Sequence, residues 1–446
     1  SVTQSIAGDD MDLRTYWPPP GDKGAPIHLI NVTVNETIDG RSQVEQKDRK
    51  GMGLALGPCG MSLGVRHHIV GPFGVELDPD PVQVYPRATG AFRVFEYPNN
   101  DFQGEILPLG AWVGISGAAF STGLGARTSL GLSILLGLAN VRLGYWWDSG
   151  VNPRWRAVAA RRGGDLRKGQ GRRPWPLRDR RRPLLPWLKK PFAVQGFLVD
   201  ELLARFPGTA RSHWYLSDGG HFENMGGYEL IRRRLPLAVI IDAEADPDYT
   251  YGGLANLVRK ARLDFGAEIE FMRPDEIDAE LPREVACHVG SLEQLRRGRW
   301  TVEGEKAPGQ RPAGKFEEAD RTGRCLVHAA LARVRYLDDD TESRLLYIKP
   351  SLLGDEPEDV LDYHRQNDAF PQETTADQFF DEAQWESYRR LGQHIAEKIF
   401  RSPKQGRAEL RAAKRRAKEA DEDPRLLWHP GILDCPPPAV TGKKKS

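Results

Sequence analysis

Cysteine is scarce in this sequence, and its spacing excludes two common uses of the residue. Four cysteines are spread over 446 residues, none in a Cys-x-x-Cys pair: Cys59, Cys287, Cys325 and Cys435. A disulfide framework or a zinc knuckle needs denser and more regular spacing. We therefore expect reduced thiols that are buried or inert.

Motifs for metals and nucleotides are also missing. Three places bring histidine close to cysteine or to another histidine, and none has the second half of a zinc pattern: Cys287 with His288, Cys325 with His328, and His67 with His68. The stretch GLGART lacks the third glycine of a dinucleotide loop, and no Gly-Lys-Ser/Thr phosphate loop is present. We expect neither a metal nor an organic cofactor.

No hydrophobic run is long enough to cross a bilayer. The most apolar stretch, SLGLSILLGLANV, has 13 residues, whereas a spanning helix needs about 20, so we interpret it as a buried helix. No signal peptide is visible, and the chain begins with Ser1 instead of Met, which indicates a piece of a longer protein. We expect a cytoplasmic protein or one peripheral to a membrane, whose full-length form could be anchored by a part not present.

Charge is balanced overall but not locally. The formal net charge is +1, which gives no general bias toward nucleic acid or membrane, yet 14 Lys and Arg residues fall between Arg154 and Lys190. The same segment contains three tryptophans: Trp155, Trp175 and Trp187. Because arginines attract anionic headgroups and indoles favour the interface, the insertion at about 150–190 is either a membrane-surface element or a solvated basic loop. No nucleic-acid-binding module accompanies it, so we expect no nucleic acid partner.

Hydrophobic periodicity predicts an α/β fold. Residues 26–36 indicate a strand, residues 50–66 a glycine-rich loop, and AWVGI, at 111–115, a short strand. Further along, helical and strand patterns alternate: a helix within 191–206, a strand at 213–217, a helix at about 224–234, a strand at 237–246, a helix at 252–266, a short strand in EIEFM, and two strands within 325–353 joined by the turn DDDTES. Such alternation favours a sheet with helices on its faces.

The stretch YLSDGGHFEN places an acidic residue at the end of an expected strand. In open α/β sheets, functional groups collect at the carboxyl ends of strands. After Asp218, the glycines Gly219 and Gly220 permit positive φ angles and leave room for a ligand or a second backbone. The alternative role of Asp218 is structural, as a turn former or as the cap of the following helix.

The stretch around Asp218 belongs to one of six longer sequence blocks that together carry a resemblance. They are PIHLINVTVN, GISGAAFSTGLG leading into LANVRLGYW, YLSDGGHFENMGGYELIRRR, IIDAEADPDYTYGGLANLVRKARLDFGAEIEF, LLYIKPSLLGDEPEDVLDY and FPQETTADQFFDEAQWESYRRLG. Together, and in this order, they resemble the patatin-like and cytosolic-phospholipase superfamily, particularly its large bacterial membrane-associated members, over much of residues 26–395. The resemblance implies a three-layer α/β/α sheet that is incomplete at its N-terminal side.

The resemblance also implies a catalytic mechanism. In that family a serine attacks the ester carbonyl, and an aspartate in an Asp-Gly-Gly or Asp-Gly-Ala motif accepts its proton directly. Asp218 matches that aspartate and is therefore implied to be the proton acceptor of a Ser–Asp dyad. A free aspartate, with a pKa of about 3.9, is a weak base for a hydroxyl, so partial burial and a short hydrogen bond would have to assist it.

Ser116, in GISGA, is the candidate nucleophile within this chain. Its neighbours Gly114 and Gly117 fit a Gly-x-Ser-x-Gly elbow in part, although Ala118 replaces the last glycine and the next helix starts late. In the family the elbow lies upstream, after a Gly-Gly-Gly-x-Arg oxyanion loop that is absent here ahead of the aspartate. That comparison favours a packing or cavity role for Ser116 and a nucleophile in an upstream segment of the same protein.

Other polar residues have weaker functional interpretations. His221, Glu223 and Asn224 follow the aspartate closely; residues in such positions more often orient a loop or cap a helix than form a triad or a metal site. Asp242 and Asp246 follow the next strand and are typical of turns, with a second acidic site as the alternative.

These observations lead to a domain assignment and two functional hypotheses. We assign residues 1–25 to an irregular arm, 26–400 to a patatin-like catalytic portion that includes the basic insertion, and 401–446 to a charged helical tail. The leading hypothesis is a lipid or phospholipid acyl hydrolase, or the aspartate-bearing C-terminal part of one. The alternative is a non-catalytic membrane-surface scaffold that keeps the fold without a nucleophile.

Overall fold

The computed structural model describes only part of the chain. The described residues are 28–38, 49–57, 60–65, 67–70, 93–96, 105–150, 193–281, 283–297, 327–374, 377 and 379–400. The expected N-terminal arm, the basic insertion beyond Gly150 and the tail after Phe400 lie outside them. The chain divides into two compact units, Ser1–Asn224 and Met225–Ser446.

The first unit is built on a seven-stranded sheet. Its strands are β1 (Ile30–Asn35), β2 (Gly51–Gly57), β3 (Gly60–Leu63), β4 (His67–Val70), β5 (Arg93–Glu96), β6 (Tyr145–Asp148) and β7 (His213–Asp218). The strand order is β5-β4-β3-β2-β1-β7-β6, and neighbours run antiparallel except β4 and β5, which are parallel. In this register Val32 of β1 lies opposite Asp218 of β7.

Helices and short 3-10 turns complete the first unit. The helices are α1 (Leu109–Ser116), α2 (Leu130–Leu138) and α3 (Ala193–Leu202), and the 3-10 turns are Gly125–Arg127, Gly208–Ala210 and Gly219–His221. The Ser129 hydroxyl caps α2 by accepting the Leu132 N–H.

The core of the first unit lies between α1 and one face of the sheet. Val32, Leu216 and Trp214 from the strands pack with Trp112 of α1 in one buried cluster. Trp147 meets Trp112 and Trp214 edge-to-face, with ring centroids 5.1 and 5.5 Å apart. Such aromatic pairs stabilise a core by about 0.5–1.5 kcal/mol each beyond the area they bury. Because strand side chains alternate, Asp218 shares this face with Trp214 and Leu216.

Three sequence expectations for this unit are wrong. AWVGI is helical, within α1, because Trp112 and Ile115 are spaced to bury one side of a helix turn. Residues 50–66 contain β2 and β3 instead of a loop, since the apolar residues between the glycines are buried. The apolar stretch 129–141 does form a helix, α2, but the helix is not buried; its one buried residue is Ser133.

The second unit contains a five-stranded sheet. Its strands are β8 (Leu237–Ile241), β9 (Ala267–Phe271), β10 (Val289–Gly290), β11 (Ala329–Tyr336) and β12 (Glu342–Ile348). The order is β10-β11-β12-β8, and β9 also pairs with β11. β11 is antiparallel to β12 and β9, whereas the pairs β10–β11 and β12–β8 are parallel.

Seven helices of the described residues belong to this unit. They are α4 (Gly227–Arg232), α5 (Gly252–Phe265), α6 (Pro274–Glu280), α7 (Arg283–Ala286), α8 (Leu292–Arg297), α9 (Glu358–Gln366) and α10 (Glu382–Phe400). Helix α5 ends where its sequence predicts, because Gly266 takes up the left-handed conformation with φ +61°. Apolar residues of α9 and α10 join β11 and β12 in one buried cluster.

The expected α/β class is confirmed as a mixed arrangement of helices and two sheets. The strand at 213–217, the helix at 252–266, the strand in EIEFM and the antiparallel pair within 325–353 are all present. The alternation between residues 190 and 272 does not build one sheet, however. β7 belongs to the first sheet, whereas β8 and β9 belong to the second.

A buried ion pair lies in the second unit at the end of β8. Lys349 Nζ lies 3.3 Å from Asp242 Oδ2, and both side chains are almost fully buried. Lys349 also donates to the Glu244 carbonyl at 3.0 Å, and the Tyr347 hydroxyl donates to Asp242. Asp242 therefore has a structural role, which favours the structural interpretation of this residue over a second acidic functional site.

None of the helices among the described residues combines the length and the apolar character that a membrane crossing requires.

The ion pair gives a stability prediction. Lys349→Met leaves the Asp242 carboxylate buried without its cation, so we expect the free energy of unfolding to fall by about 3–5 kcal/mol in urea denaturation. The double variant Asp242→Leu/Lys349→Met removes both charges and should recover most of that loss.

Arg262→Met is the matched control. Its partner Glu268 forms an exposed pair at 2.9 Å, for which we expect a loss below about 1 kcal/mol. An equal loss for Lys349→Met and Arg262→Met would contradict the structural role of the buried pair.

Candidate functional site

Asp218 is the last residue of β7, and only one of its two carboxylate oxygens accepts a hydrogen bond from a described residue. Oδ1 accepts the Gly220 N–H at 2.6 Å and caps the 3-10 turn Gly219–His221. The capping role considered from the sequence is therefore confirmed. Oδ2 makes no hydrogen bond to any other described residue, and the side chain is half-buried. Asp218 thus presents one anchored and one available oxygen.

Gly219 is required by a close approach of the main chain and not by its backbone angles, whereas a Cβ on Gly220 would meet only side-chain atoms. A Cβ on Gly219 would lie 2.4 Å from the Asn31 carbonyl oxygen, and one on Gly220 would lie 2.3 Å from Asn224 Oδ1. Neither glycine uses the positive φ angles that it permits, since neither is among the described residues with left-handed backbone. The expectation that a second backbone approaches here is confirmed for Gly219.

Ser116 lies at the same corner but is not on a nucleophile elbow. It is the last residue of α1, and its Oγ donates to the Asn31 carbonyl at 2.7 Å. This is the carbonyl that Gly219 approaches, so the fold brings Ser116 and the Asp218 turn to one point of β1. Among the described residues, no hydrogen bond joins Ser116 to Asp218.

The glycines beside Ser116 do not form the expected sharp turn either. An elbow projects its serine from a strand-to-helix turn, whereas Ser116 ends a helix and Gly117 is the residue that caps it. Gly114 lies within α1, where a Cβ would meet nothing within 4 Å.

His221 ties the turn to the segment after α1 and to the opposite face of the sheet. Its Nε2 faces the Ala119 carbonyl at 3.1 Å, and its Nδ1 lies 2.9 Å from Ser217 Oγ. A carbonyl only accepts, so Nε2 carries the proton and Nδ1 accepts from Ser217. Ser217 accepts in turn from Asn35 Nδ2 at 2.8 Å, and Asn35 Oδ1 accepts the Gly125 N–H at 2.9 Å.

The imidazole of His221 is held neutral by its surroundings. Burial lowers the pKa of His221, and the Asp218 charge only partly opposes that shift. A neutral ring suits a positioning role, in which His221 fixes the turn through two hydrogen bonds. The loop-orienting interpretation of His221 is thus favoured over a metal or triad role.

The buried carboxylate of Glu201 was not identified from the sequence. Glu201 of α3 accepts from Arg142 Nε at 2.9 Å, Trp146 Nε1 at 3.0 Å and Thr122 Oγ1 at 3.1 Å. Burial, and then the Glu201 charge, raise the pKa of Tyr215 to about 12. These partners lie 55 to 79 residues from Glu201 along the chain, so no local motif could reveal them.

The helices α2 and α3 present large apolar side chains to solvent. On α2 the exposed fractions of Leu130, Leu135 and Leu138 are 53%, 63% and 76%. On α3, Val194 and Val199 are 76% and 50% exposed. The two helices pack against each other, since Gly137 of α2 lies against Leu202 of α3. We call the exposed residues Leu130, Ile134, Leu135, Leu138, Val194 and Val199 the apolar helix pair.

The remaining acidic candidate, Asp246, forms a turn. Its carboxylate accepts the backbone N–H groups of Thr250 and Tyr251 at 2.9 and 2.7 Å. This arrangement supports the turn interpretation of Asp246.

Comparisons of the chain with protein-family models, with curated proteins and with solved structures gave no match.

The two glycine environments give a paired prediction. Gly219→Ala forces a Cβ against the Asn31 carbonyl, so we expect the free energy of unfolding to fall by about 1–3 kcal/mol. Gly114→Ala adds a methyl group in open space within α1 and should raise it by roughly 0.5–1 kcal/mol. Urea denaturation measures both values, and a loss in both variants would contradict the described backbone around Asp218.

Proposed function

We propose that this chain is a lipid acyl hydrolase, or the aspartate-bearing part of one, with Asp218 as the proton acceptor. The observation that carries this proposal is the asymmetry of the carboxylate. Oδ1 is fixed by the Gly220 N–H, while Oδ2 has no partner among the described residues. A general base needs both features, because it must be oriented and still have a free lone pair for the proton.

The proposed reaction has two steps. As a serine hydroxyl attacks the ester carbonyl, Asp218 Oδ2 takes its proton and then returns it to the leaving alcohol, which gives an acyl-enzyme. Asp218 next accepts a proton from the water that attacks the acyl-enzyme, and passes it to the serine as the fatty acid leaves.

The serine in this proposal is not Ser116. Its hydroxyl proton is directed at the Asn31 carbonyl, and a nucleophile must instead give that proton to its base. Its place at the end of α1 also lacks the elbow geometry that exposes a nucleophile. We therefore assign Ser116 a structural role and propose that the nucleophile belongs to an upstream segment of the same protein.

A lipid substrate is supported by the surface of the first unit. The apolar helix pair exposes leucine and valine side chains, and the sequence directly before α3 carries the 14 basic residues and three tryptophans of the insertion. Exposed apolar side chains, in a sequence that also carries clustered basic residues and tryptophans, suit the surface of an anionic bilayer.

The second candidate function is a membrane-surface scaffold without catalysis. It is favoured by the capping role of Asp218 and by the commitment of Ser116 to a main-chain carbonyl. Both candidate functions include binding to a membrane surface, so an activity assay is needed to distinguish them.

The activity prediction uses a nitrophenyl ester and a fluorophosphonate probe. We expect residues 1–446 alone to release no nitrophenol above the Asp218→Asn background and Ser116 to remain unlabelled. In a longer protein that includes the upstream segment, Asp218→Asn should lower kcat by about 100- to 10,000-fold, the usual contribution of a general base. Ser116→Ala is the control and should leave kcat unchanged.

Two outcomes would count against parts of this account. Hydrolysis by residues 1–446 that is lost in Ser116→Ala would place the nucleophile at Ser116. Unchanged kcat in Asp218→Asn of the longer protein would remove Asp218 from catalysis and leave the scaffold as the better proposal.

Membrane binding gives a separate prediction. We expect Leu135→Glu/Leu138→Glu to lower binding to phosphatidylglycerol vesicles in co-sedimentation by at least about tenfold, because burying a leucine contributes about 1.5–3 kcal/mol. Leu263→Glu is the matched control, since Leu263 is a 67% exposed leucine on another helix, α5. Equal vesicle binding by the double variant and the parent would show that the apolar helix pair does not meet lipid.

A further inference from the structure

Four side chains of metal-ligating type lie together in the second unit. They are His328, Asp355, Glu356 and His394, and one potential ligand atom from each lies within 4.8 Å of all the others. His328 stands directly before β11, the two acids follow β12, and His394 lies on α10. The cluster therefore joins three segments of the chain: the start of β11, the loop after β12 and α10.

His328 has no explanation as an ordinary core residue. Its side chain is fully buried, and neither ring nitrogen has a hydrogen-bond partner among the described residues. A buried polar group without a partner destabilises a fold. The imidazole belongs to the four-residue cluster, and its ring centroid lies 5.8 Å from that of His394. An unpartnered imidazole among carboxylates points to a ligand that accepts its lone pair.

Both acids are held in place by partners of their own. Glu356 accepts the backbone N–H groups of Leu353 and Gly354, both at 2.8 Å. Such hydrogen bonds to a ligating carboxylate fix its direction, as outer-shell groups do in metal sites. Asp355 Oδ1 lies 2.9 Å from His394 Nε2, and its Oδ2 lies 2.7 Å from Lys398 Nζ. Lys398 competes for Asp355, and it would share that carboxylate with a bound ion.

We propose that His328, His394, Asp355 and Glu356 form a binding site for a divalent transition-metal ion, with Zn²⁺ as the best fit. Two imidazole nitrogens and two carboxylate oxygens match the donors that zinc takes in proteins. Bonds of about 2.0–2.2 Å place tetrahedral ligands roughly 3.3–3.6 Å apart. Separations of up to 4.8 Å must therefore contract by up to about 1.5 Å on binding. The site supplies four protein ligands, as structural zinc sites do. His328 and Glu356 are buried, His394 is half-buried and Asp355 is exposed.

This proposal is independent of the hydrolase proposal, because all four residues lie in Met225–Ser446 and Asp218 does not. It departs from the expectation of no metal, which rested on the absence of paired sequence motifs. His328 was considered there only beside Cys325, which lies outside the described residues.

Calorimetric titration of ZnCl₂ into the chelator-treated chain 1–446 tests the proposal. We expect one equivalent to bind the parent, and His394→Gln and Asp355→Asn to lower the affinity by at least about 100-fold, the upper end of the loss for outer-shell partners. Zn²⁺ should also raise the melting temperature of the parent and not that of His394→Gln. His328→Asn extends the series if circular dichroism shows that it folds.

His364→Gln is the matched control. His364 lies in the same unit, is half-buried and bonds the Phe370 carbonyl through Nδ1 at 2.8 Å, so its loss should leave Zn²⁺ affinity unchanged. The proposal is overturned if the parent binds no stoichiometric Zn²⁺, which would leave the cluster as an ion-pair network. It is equally overturned if His394→Gln and Asp355→Asn bind Zn²⁺ as tightly as the parent.

Discussion

The approach of Gly219 to the carbonyl oxygen of Asn31 fixes the position of Asp218, because it sets how β7 leaves the sheet beside β1. The same carbonyl accepts the Ser116 hydroxyl at 2.7 Å, so α1 is anchored to this point as well. Only a residue without a side chain fits at position 219. The turn that follows then directs the Gly220 N–H at Asp218 Oδ1. One main-chain oxygen thus organises the strand end, the helix end and the carboxylate.

This arrangement separates two roles that the sequence could not distinguish. Asp218 caps its turn with one oxygen, and the second oxygen stays available for chemistry, so a structural role and a catalytic role are compatible in one side chain. Ser116 has a single hydroxyl proton, and that proton is used by Asn31. The geometry therefore favours a base without its nucleophile in the described part of the chain, and this distinction underlies the proposed function.

The features that could be predicted from the sequence are those that depend on local patterns. The β7 strand, the Asp218 turn, α5 with its terminal Gly266 and the β11–β12 pair each follow from residues close together in the chain. What could not be predicted depends on contacts between distant residues. AWVGI has an apolar composition that suits either a strand or a helix, and tertiary packing of Trp112 decides between them. The assignment of β7 and β8 to different sheets is decided in the same way.

The buried polar groups show most clearly that contacts between distant residues cannot be predicted from local sequence patterns. Glu201, the Asp242–Lys349 pair and the cluster around His328 are each assembled from segments tens of residues apart. Short sequence motifs could reveal none of them, because no two residues of the His328 cluster except Asp355 and Glu356 are close in sequence. The burial of an imidazole without a hydrogen-bond partner among the described residues, as at His328, can be recognised only in a three-dimensional structure.

The central claim is that Asp218 receives the proton of a catalytic serine. It is tested most directly by a crystal structure of the protein with the proposed upstream segment, after inactivation with an organophosphorus ester. The account predicts a covalent adduct on a serine other than Ser116, with Asp218 Oδ2 within about 3 Å of that serine's Oγ. An adduct on Ser116, or an Asp218 carboxylate remote from the modified serine, would contradict it.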